Sequence, residues 1–123
     1  VFRAGFAGAP VTSWMNYDTI YTERYMGLPK DNGAAYGSTA LPAKAGNLKG
    51  ALMLVHNIED DNVLVQNSLQ MIIALQSAGK QFEMMLYPQK SHGVSGFASR
   101  QMDFAMFNFF ARHLKPDVSR AVE

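Results

Sequence analysis

The sequence predicts an α/β chain built on a parallel sheet, and two stretches carry that expectation. Ala51-Leu-Met-Leu-Val55 is an apolar run that leads into a polar turn, Glu59 to Asn62, before a helical pattern starts at Val63. A run without polar alternation suits a strand covered on both faces. Further on, a second strand-like run, Gln81 to Tyr87, ends in Pro88-Gln-Lys-Ser-His-Gly93. The full order is strand, irregular segment, strand, helix, strand, helix. That alternation points to parallel strands joined by right-handed crossovers. Ligands of such sheets sit on the loops that leave the carboxyl ends of the strands.

Each element has its own local reason. Val1 to Ala9 reads as a short strand of small residues stopped by Pro10, with glycines that imply close backbone approach or a bend. It lacks the charges that protect a sheet edge, so it is expected inside a sheet whose earlier strands lie outside this sequence. Val11 to Gly27 is dense in aromatics, and Trp14, Tyr17, Tyr21 and Tyr25 fall at helical spacing. A core-facing stripe is the ordinary meaning of such a row. The wall of an apolar pocket is the other, since aromatics with a polar tip line such sites well. Leu28 to Asn47 is rich in Gly and Pro and is expected to be loop with at most one short helix.

Leu52 to His56 is the next strand. Val63 to Ala78 is expected as a helix burying Val65, Leu69, Ile72 and Ile73, with Asp61 or Asn62 as its cap and Gly79 as its stop. Phe82 to Tyr87 is the last strand, and Ser91 to Gly96 a loop. Ser99 to Leu114 is a helix whose inner face is Met102, Met106, Phe109 and Phe110. The methionines serve as gap-filling core rather than a metal-binding row. Pro116 ends this helix, and the residues after it are expected to fray.

Composition narrows the class. The chain of 123 residues is 48% hydrophobic and 17% charged, ordinary for a globular domain or part of one. A net charge of +1, with no basic stripe, argues against nucleic acid as a partner. No apolar run approaches the ~18 residues of a membrane span. With no cysteine, disulfides and zinc-thiolate sites within these residues are excluded. The chain starts at Val1 and enters an apolar segment at once, so it reads as a piece of something longer.

An acid follows one strand and a histidine follows the next. His92, between Ser91 and Gly93, is a candidate general base, and Asp60 or Asp61 is its candidate partner. A carboxylate that accepts the imidazole Nδ1–H fixes the tautomer and leaves Nε2 to take a proton from a nucleophile. One of the two acids must face inward and the other outward. His56 reads as a hydrogen-bonded structural histidine, and His113 as a favourable charge in a last helical turn. No residue spacing fits a metal site. Gly93-Val-Ser95-Gly96 lacks the pattern of a nucleophile elbow, Gly-x-Ser-x-Gly. In the chain order Ser, Asp, His, the serine is therefore expected upstream of Val1.

With these residues in view, the chain resembles the C-terminal part of the catalytic domain of the prolyl oligopeptidase family, in its dipeptidyl peptidase IV branch. The resemblance rests on Ala9-Pro-Val-Thr-Ser-Trp14 through Tyr17-Asp-Thr-Ile-Tyr-Thr-Glu-Arg-Tyr-Met-Gly27, on His56-Asn-Ile-Glu-Asp-Asp-Asn-Val63 and on Ser91-His-Gly93. It covers essentially the whole chain. It implies the last three parallel strands and flanking helices of an α/β-hydrolase fold, with residues 1–123 forming a partial catalytic domain without its nucleophile elbow. It implies that Asp60 is the triad acid, His92 the triad base and Asn62 a hydrogen-bonding group for substrate. It further implies that Val11, Trp14, Tyr17, Tyr21 and Val63 wall a small pocket for a proline ring. Asn57 departs from the family, which commonly has glycine after the strand-ending histidine.

The implied activity is removal of N-terminal X-Pro or X-Ala dipeptides from peptides through an acyl-enzyme, without a cofactor. The implied partners are the rest of the catalytic domain, a propeller domain and a second copy in a homodimer. A periplasmic, secreted or membrane-anchored location follows from the same resemblance. Two other readings stay open: a different α/β-hydrolase, such as an acylaminoacyl peptidase or an esterase, and a non-catalytic interaction domain. The last requires Asp60 and His92 to be out of each other's reach.

Overall fold

The computed structural model describes residues 2–115. Pro116 and the tail after it, like Val1, lie outside them. Three parallel strands form one sheet in the order β1-β2-β3: β1 is Ala4–Gly8, β2 Ala51–Glu59 and β3 Glu83–Lys90. The helices are α1 (Thr19–Met26), α2 (Gly33–Thr39), α3 (Gln66–Ser77) and α4 (Phe97–Leu114). Trp14–Asn16 and Pro42–Asn47 are short 3₁₀ turns. Three parallel strands with flanking helices are what the resemblance to the end of an α/β-hydrolase domain leads one to expect.

The apolar run in β2 makes the sheet a middle layer. Successive side chains of a strand point to opposite faces. Leu52 and Leu54 go to one side and join Met71, Ile72 and Leu75 of α3 and Ala45 of the 3₁₀ turn. Met53 and Val55 go to the other side and meet Phe109 of α4 and Tyr87 of β3. Met102, Ala105 and Phe110 complete the inner face of α4. One strand thus feeds two cores.

Several local expectations change. β2 runs on past His56 to Glu59, because Asn57 pairs with Tyr87 and Glu59 with Lys90. The aromatic row is not one helix. A 3₁₀ turn carries Trp14, Tyr17 is extended, and α1 starts after Asp18, whose carboxylate accepts from the Tyr21 amide. Leu28 to Asn47 holds α2 as well as a six-residue 3₁₀ turn opened by Pro42. Tyr36, buried in α2, ties this region back by donating to the Gly27 carbonyl at 2.8 Å.

The largest change is in α3. It starts at Gln66, not Val63, and neither Asp61 nor Asn62 caps it. Its buried face is Asn67, Ser68, Met71, Ile72 and Leu75, whereas Leu69 is 42% and Ile73 62% exposed. The inner face of the first turn is polar because it anchors other segments, so of the expected stripe only Ile72 is buried, while Val65 is half-buried and Leu69 and Ile73 face outward. At the far end the expected stop holds. Gly79 has a φ of 66°, and Lys80 N donates to Leu75 O while Gly79 N donates to Gln76 O. This is a Schellman termination.

Asn67 is the main anchor. It is fully buried, and its Oδ1 accepts from the amides of Thr12 at 3.1 Å and Ser13 at 3.2 Å. Its Nδ2 reaches the carbonyls of Leu64 and Asn16. The Thr12 hydroxyl donates to the Asn67 carbonyl at 2.7 Å. The segment that carries the aromatics is therefore bolted to the start of α3.

Two consequences are testable in the intact protein. A Cβ at Gly50 would stand 2.9 Å from the Arg3 carbonyl oxygen and 3.0 Å from that of Phe2, both backbone atoms that cannot swing aside. Gly50→Ala is expected to cost about 1–3 kcal/mol, the scale of overpacking, read as a lower urea midpoint. Asn67→Leu keeps the volume but leaves the Thr12 and Ser13 amides unpaired, at about 1–3 kcal/mol per buried donor. Hydrogen exchange should accelerate at residues 12 and 13 and remain slow in β2.

Candidate active site

The site lies where β2 and β3 end. β2 gives way to Asp60, and the chain turns at once, because Asp60 Oδ1 accepts from the amides of Asn62 and Val63, each at 2.9 Å. This turn buries the carboxylate, whose side chain has no exposed surface. The second oxygen, Oδ2, is thereby aimed at the loop that follows β3. His92 Nδ1 meets it at 3.0 Å. Since an ionised carboxylate only accepts, Nδ1 carries the proton and Nε2 bears a free lone pair. The His92 side chain is half exposed, against none of the Asp60 side chain. Of the adjacent acids, Asp60 is the inward one and Asp61 is exposed.

His56 stands behind the carboxylate. Its Nε2 donates to the Val63 carbonyl at 2.7 Å and lies 3.4 Å from Asp60 Oδ2. Its Nδ1 then accepts from the Ser68 hydroxyl, also at 2.7 Å. Both ring nitrogens are satisfied within a fully buried environment. The histidine is a prop for the acid turn. His113 is remote from this site; with Arg112 it holds Glu83 at the other end of β3. Burial pushes the Glu83 carboxyl up, but hydrogen bonds and charge from Arg112 and His113 outweigh it and hold the group below the ordinary glutamate value.

The aromatic segment approaches the acid turn at one point. The Tyr17 hydroxyl donates to Asn62 Oδ1 at 2.9 Å. Around it the rings form a ladder, with Trp14 to Tyr17 at 6.0 Å, Tyr17 to Tyr21 at 5.5 Å and Tyr21 to Tyr25 at 5.0 Å between centroids. Tyr21 is 48% and Tyr25 69% exposed, which is not how a core stripe behaves. A cavity of about 180 Å³ is lined by Trp14, Tyr21, Thr22, Tyr25 and Met26. Val11, Tyr17 and Val63 do not line it. Val63 is buried in the acid turn, and Val11 is half-buried.

Sequence reasoning missed three contributors. Ser68 orients His56, Asn67 holds the aromatic segment, and Asn57 reaches the histidine loop by donating to the carbonyls of Ser91 and Gly93. Only Asn57 carried a signal, a polar residue inside an apolar strand; Asn67 and Ser68 fall off the expected helical stripe and read as surface. Among the described residues no cluster of His, Asp and Glu could hold a metal ion. Ser95 is braced by Gln89 through its backbone, with Ser95 N donating to Gln89 Oε1 at 3.1 Å and Gln89 Nε2 donating to Ser95 O at 3.2 Å.

Known proteins resemble this chain in sequence and fold. The chain is 39% identical to dipeptidyl peptidase 4 of Bos taurus over 115 residues, which is 91% of this chain and 15% of that protein. It is 44% identical over 99 residues to venom dipeptidyl peptidase 4 of Vespa velutina, covering 78% of this chain and 13% of the relative. The crystal structure of Porphyromonas gingivalis dipeptidyl peptidase 4 superposes with a TM-score of 0.87 at 34% identity, over 91% of this chain and 16% of that one. The chain thus spans about 15% of the length of the first of these relatives. The model of the prolyl oligopeptidase family matches residues 1–117, and with the fold, the Asp60–His92 pair and the aromatic segment in place, the chain belongs to that family.

Proposed function

We propose that this chain is the acid-and-base part of a serine exopeptidase that removes N-terminal dipeptides, with proline or alanine as the second residue. The observation that carries the proposal is the 3.0 Å contact between His92 Nδ1 and the buried Asp60 Oδ2. In this reading the nucleophilic serine comes from sequence outside these 123 residues. Its hydroxyl gives its proton to His92 Nε2 as the oxygen attacks the carbonyl of the second residue. Asp60 stabilises the imidazolium that forms. His92 then passes the proton to the departing amine, and water releases the dipeptide from the acyl-enzyme.

The aromatic segment supplies the selectivity. Trp14, Tyr17 and Tyr21, with Val11 and Val63, are proposed to complete a pocket for a flat five-membered ring when the rest of the domain is present. Asn62 presents the donor half of its amide to a substrate carbonyl, its oxygen being engaged by Tyr17. The rest of the catalytic domain, a propeller domain and a second copy of the protein are the proposed partners. The ladder of half-exposed tyrosines disfavours a general esterase, and the Asp60–His92 contact disfavours a non-catalytic interaction domain.

Asp60→Asn in the intact enzyme is expected to lower turnover by roughly 10³–10⁴-fold, because an amide at this position stabilises the wrong imidazole tautomer. Asp61→Asn, at an exposed position, is expected to cost far less. Steady-state rates on a chromogenic Gly-Pro substrate decide the assignment; a greater loss in Asp61→Asn would reverse it. Trp14→Ala or Tyr17→Ala should lower the kcat/KM ratio of a proline substrate to a bulkier one by roughly 10–200-fold, the value of one good pocket contact. An unchanged ratio in a folded variant would return these rings to a packing role.

A further inference from the structure

Asn57 occupies the buried stretch of β2, one residue beyond His56. Its amide nitrogen donates to the Ser91 carbonyl at 2.8 Å and to the Gly93 carbonyl at 3.1 Å. These two oxygens flank His92 in the chain. The regular strand ladder does not reach them. Pairing goes from Asn57–Tyr87 to Glu59–Lys90, two steps along β2 against three along β3, so β3 bulges there. Pro88 lies within the bulge and has no N–H to offer a neighbour. Beyond it, Ser91 sits at a φ of 86°, a left-handed conformation that a serine seldom adopts unless held. The Ser91 hydroxyl makes a further 3.1 Å bond to the Gly93 carbonyl.

The two acceptors decide how the Asn57 amide is turned, since only its nitrogen can donate to both. Its oxygen is then buried, and among the described residues it has no hydrogen-bond partner. An unpaired buried acceptor is a cost to the fold. The glycine that the family resemblance leads one to expect here would carry no such oxygen. Stability alone therefore does not account for an amide at this position, whereas control of the histidine loop does.

We propose that Asn57 is a positioning residue for His92. By gripping the carbonyls on either side, it sets where the imidazole stands against Asp60 Oδ2. The inference rests on the reading of His92 as the base. The full-length enzyme tests it with Asn57→Gly and Asn57→Asp. The first removes the grip; the second keeps the size but replaces an NH2 that bonds both carbonyls by a carboxyl that can give at most one O–H bond, and only when protonated. In both, kcat is expected to fall about 10²-fold, the scale of a small misplacement of a catalytic group. KM, and the inhibition constant of a competitive proline mimic, should stay unchanged, because the aromatic segment is held by Asn67 instead. Unchanged kcat in folded Asn57→Gly, or a loss confined to KM, overturns the proposal. If Asn57→Asp does not fold, Asn57→Gly decides alone. Asp60→Asn and His92→Ala run beside them separate the two claims. Inactive Asp60 and His92 variants with a fully active Asn57→Gly refute only the positioning role, while active Asp60 and His92 variants refute the catalytic reading as well.

Discussion

The Asp60 carboxylate is the group on which the rest of the site depends. A buried carboxylate must be met by donors or it will not remain charged. Asp60 divides that need between its oxygens. Oδ1 takes two backbone amides and so makes the turn that ends β2; Oδ2, left over, faces the next loop and meets His92. The same bonds that bury the acid also aim it. A residue that served the turn alone would not need the second oxygen, and one that served the histidine alone would have no fixed direction.

Around that group the protein uses polar anchors where hydropathy alone would place oil. The first turn of α3 holds Asn67 and Ser68, both buried. Ser68 steadies His56, which supports the Val63 carbonyl in the acid turn. Asn67 grips the segment that bears Trp14 and Tyr17. One helical turn thus ties the acid to the aromatic wall. Such networks tolerate little, because every member left without its partner is a buried polar group in a medium of low dielectric. The apolar clusters on the two faces of β2 supply the bulk of the burial, but they do not specify this geometry.

The fold was legible because its strongest signals are periodic. The continuous apolar run in β2 and the Gly79 stop survive in the structure, as do Met102, Phe109 and Phe110 on the inner face of α4, where Ala105 rather than Met106 joins them. The acid after one strand and the histidine after the next were legible as an order; patterning left Asp60 and Asp61 open, the family resemblance pointed to Asp60, and the turn geometry turns Asp60 inward. What patterning misplaced was the buried side of α3, where Leu69 and Ile73 look like core and Asn67 and Ser68 look like surface. Side-chain hydrogen bonds across more than fifty residues, such as Asn67 to Thr12, leave no periodic trace. The aromatic row was legible as a row but not as its conformation, since a 3₁₀ turn and a helix in tandem can keep side chains adjacent without one continuous axis.

That tandem also bears on how the aromatics work. On one continuous α-helix, Trp14, Tyr17, Tyr21 and Tyr25 would form a flat stripe that one core face could cover. Here the extended Tyr17 separates the two pieces, and Trp14 and Tyr21 stack at an interplanar angle of 23° while Tyr17 stands edge-on to both. A corner of this kind is concave, and its edge-on ring turns a hydroxyl toward Asn62. Stacked rings present an apolar face at little entropic cost, and the hydroxyl ties that face to the loop carrying the acid. The aromatic ladder therefore meets the acid turn directly through the hydrogen bond between Tyr17 and Asn62, beside the indirect tie that Asn67 and Ser68 make through α3. The bend after Asn16 is what brings that bond within reach.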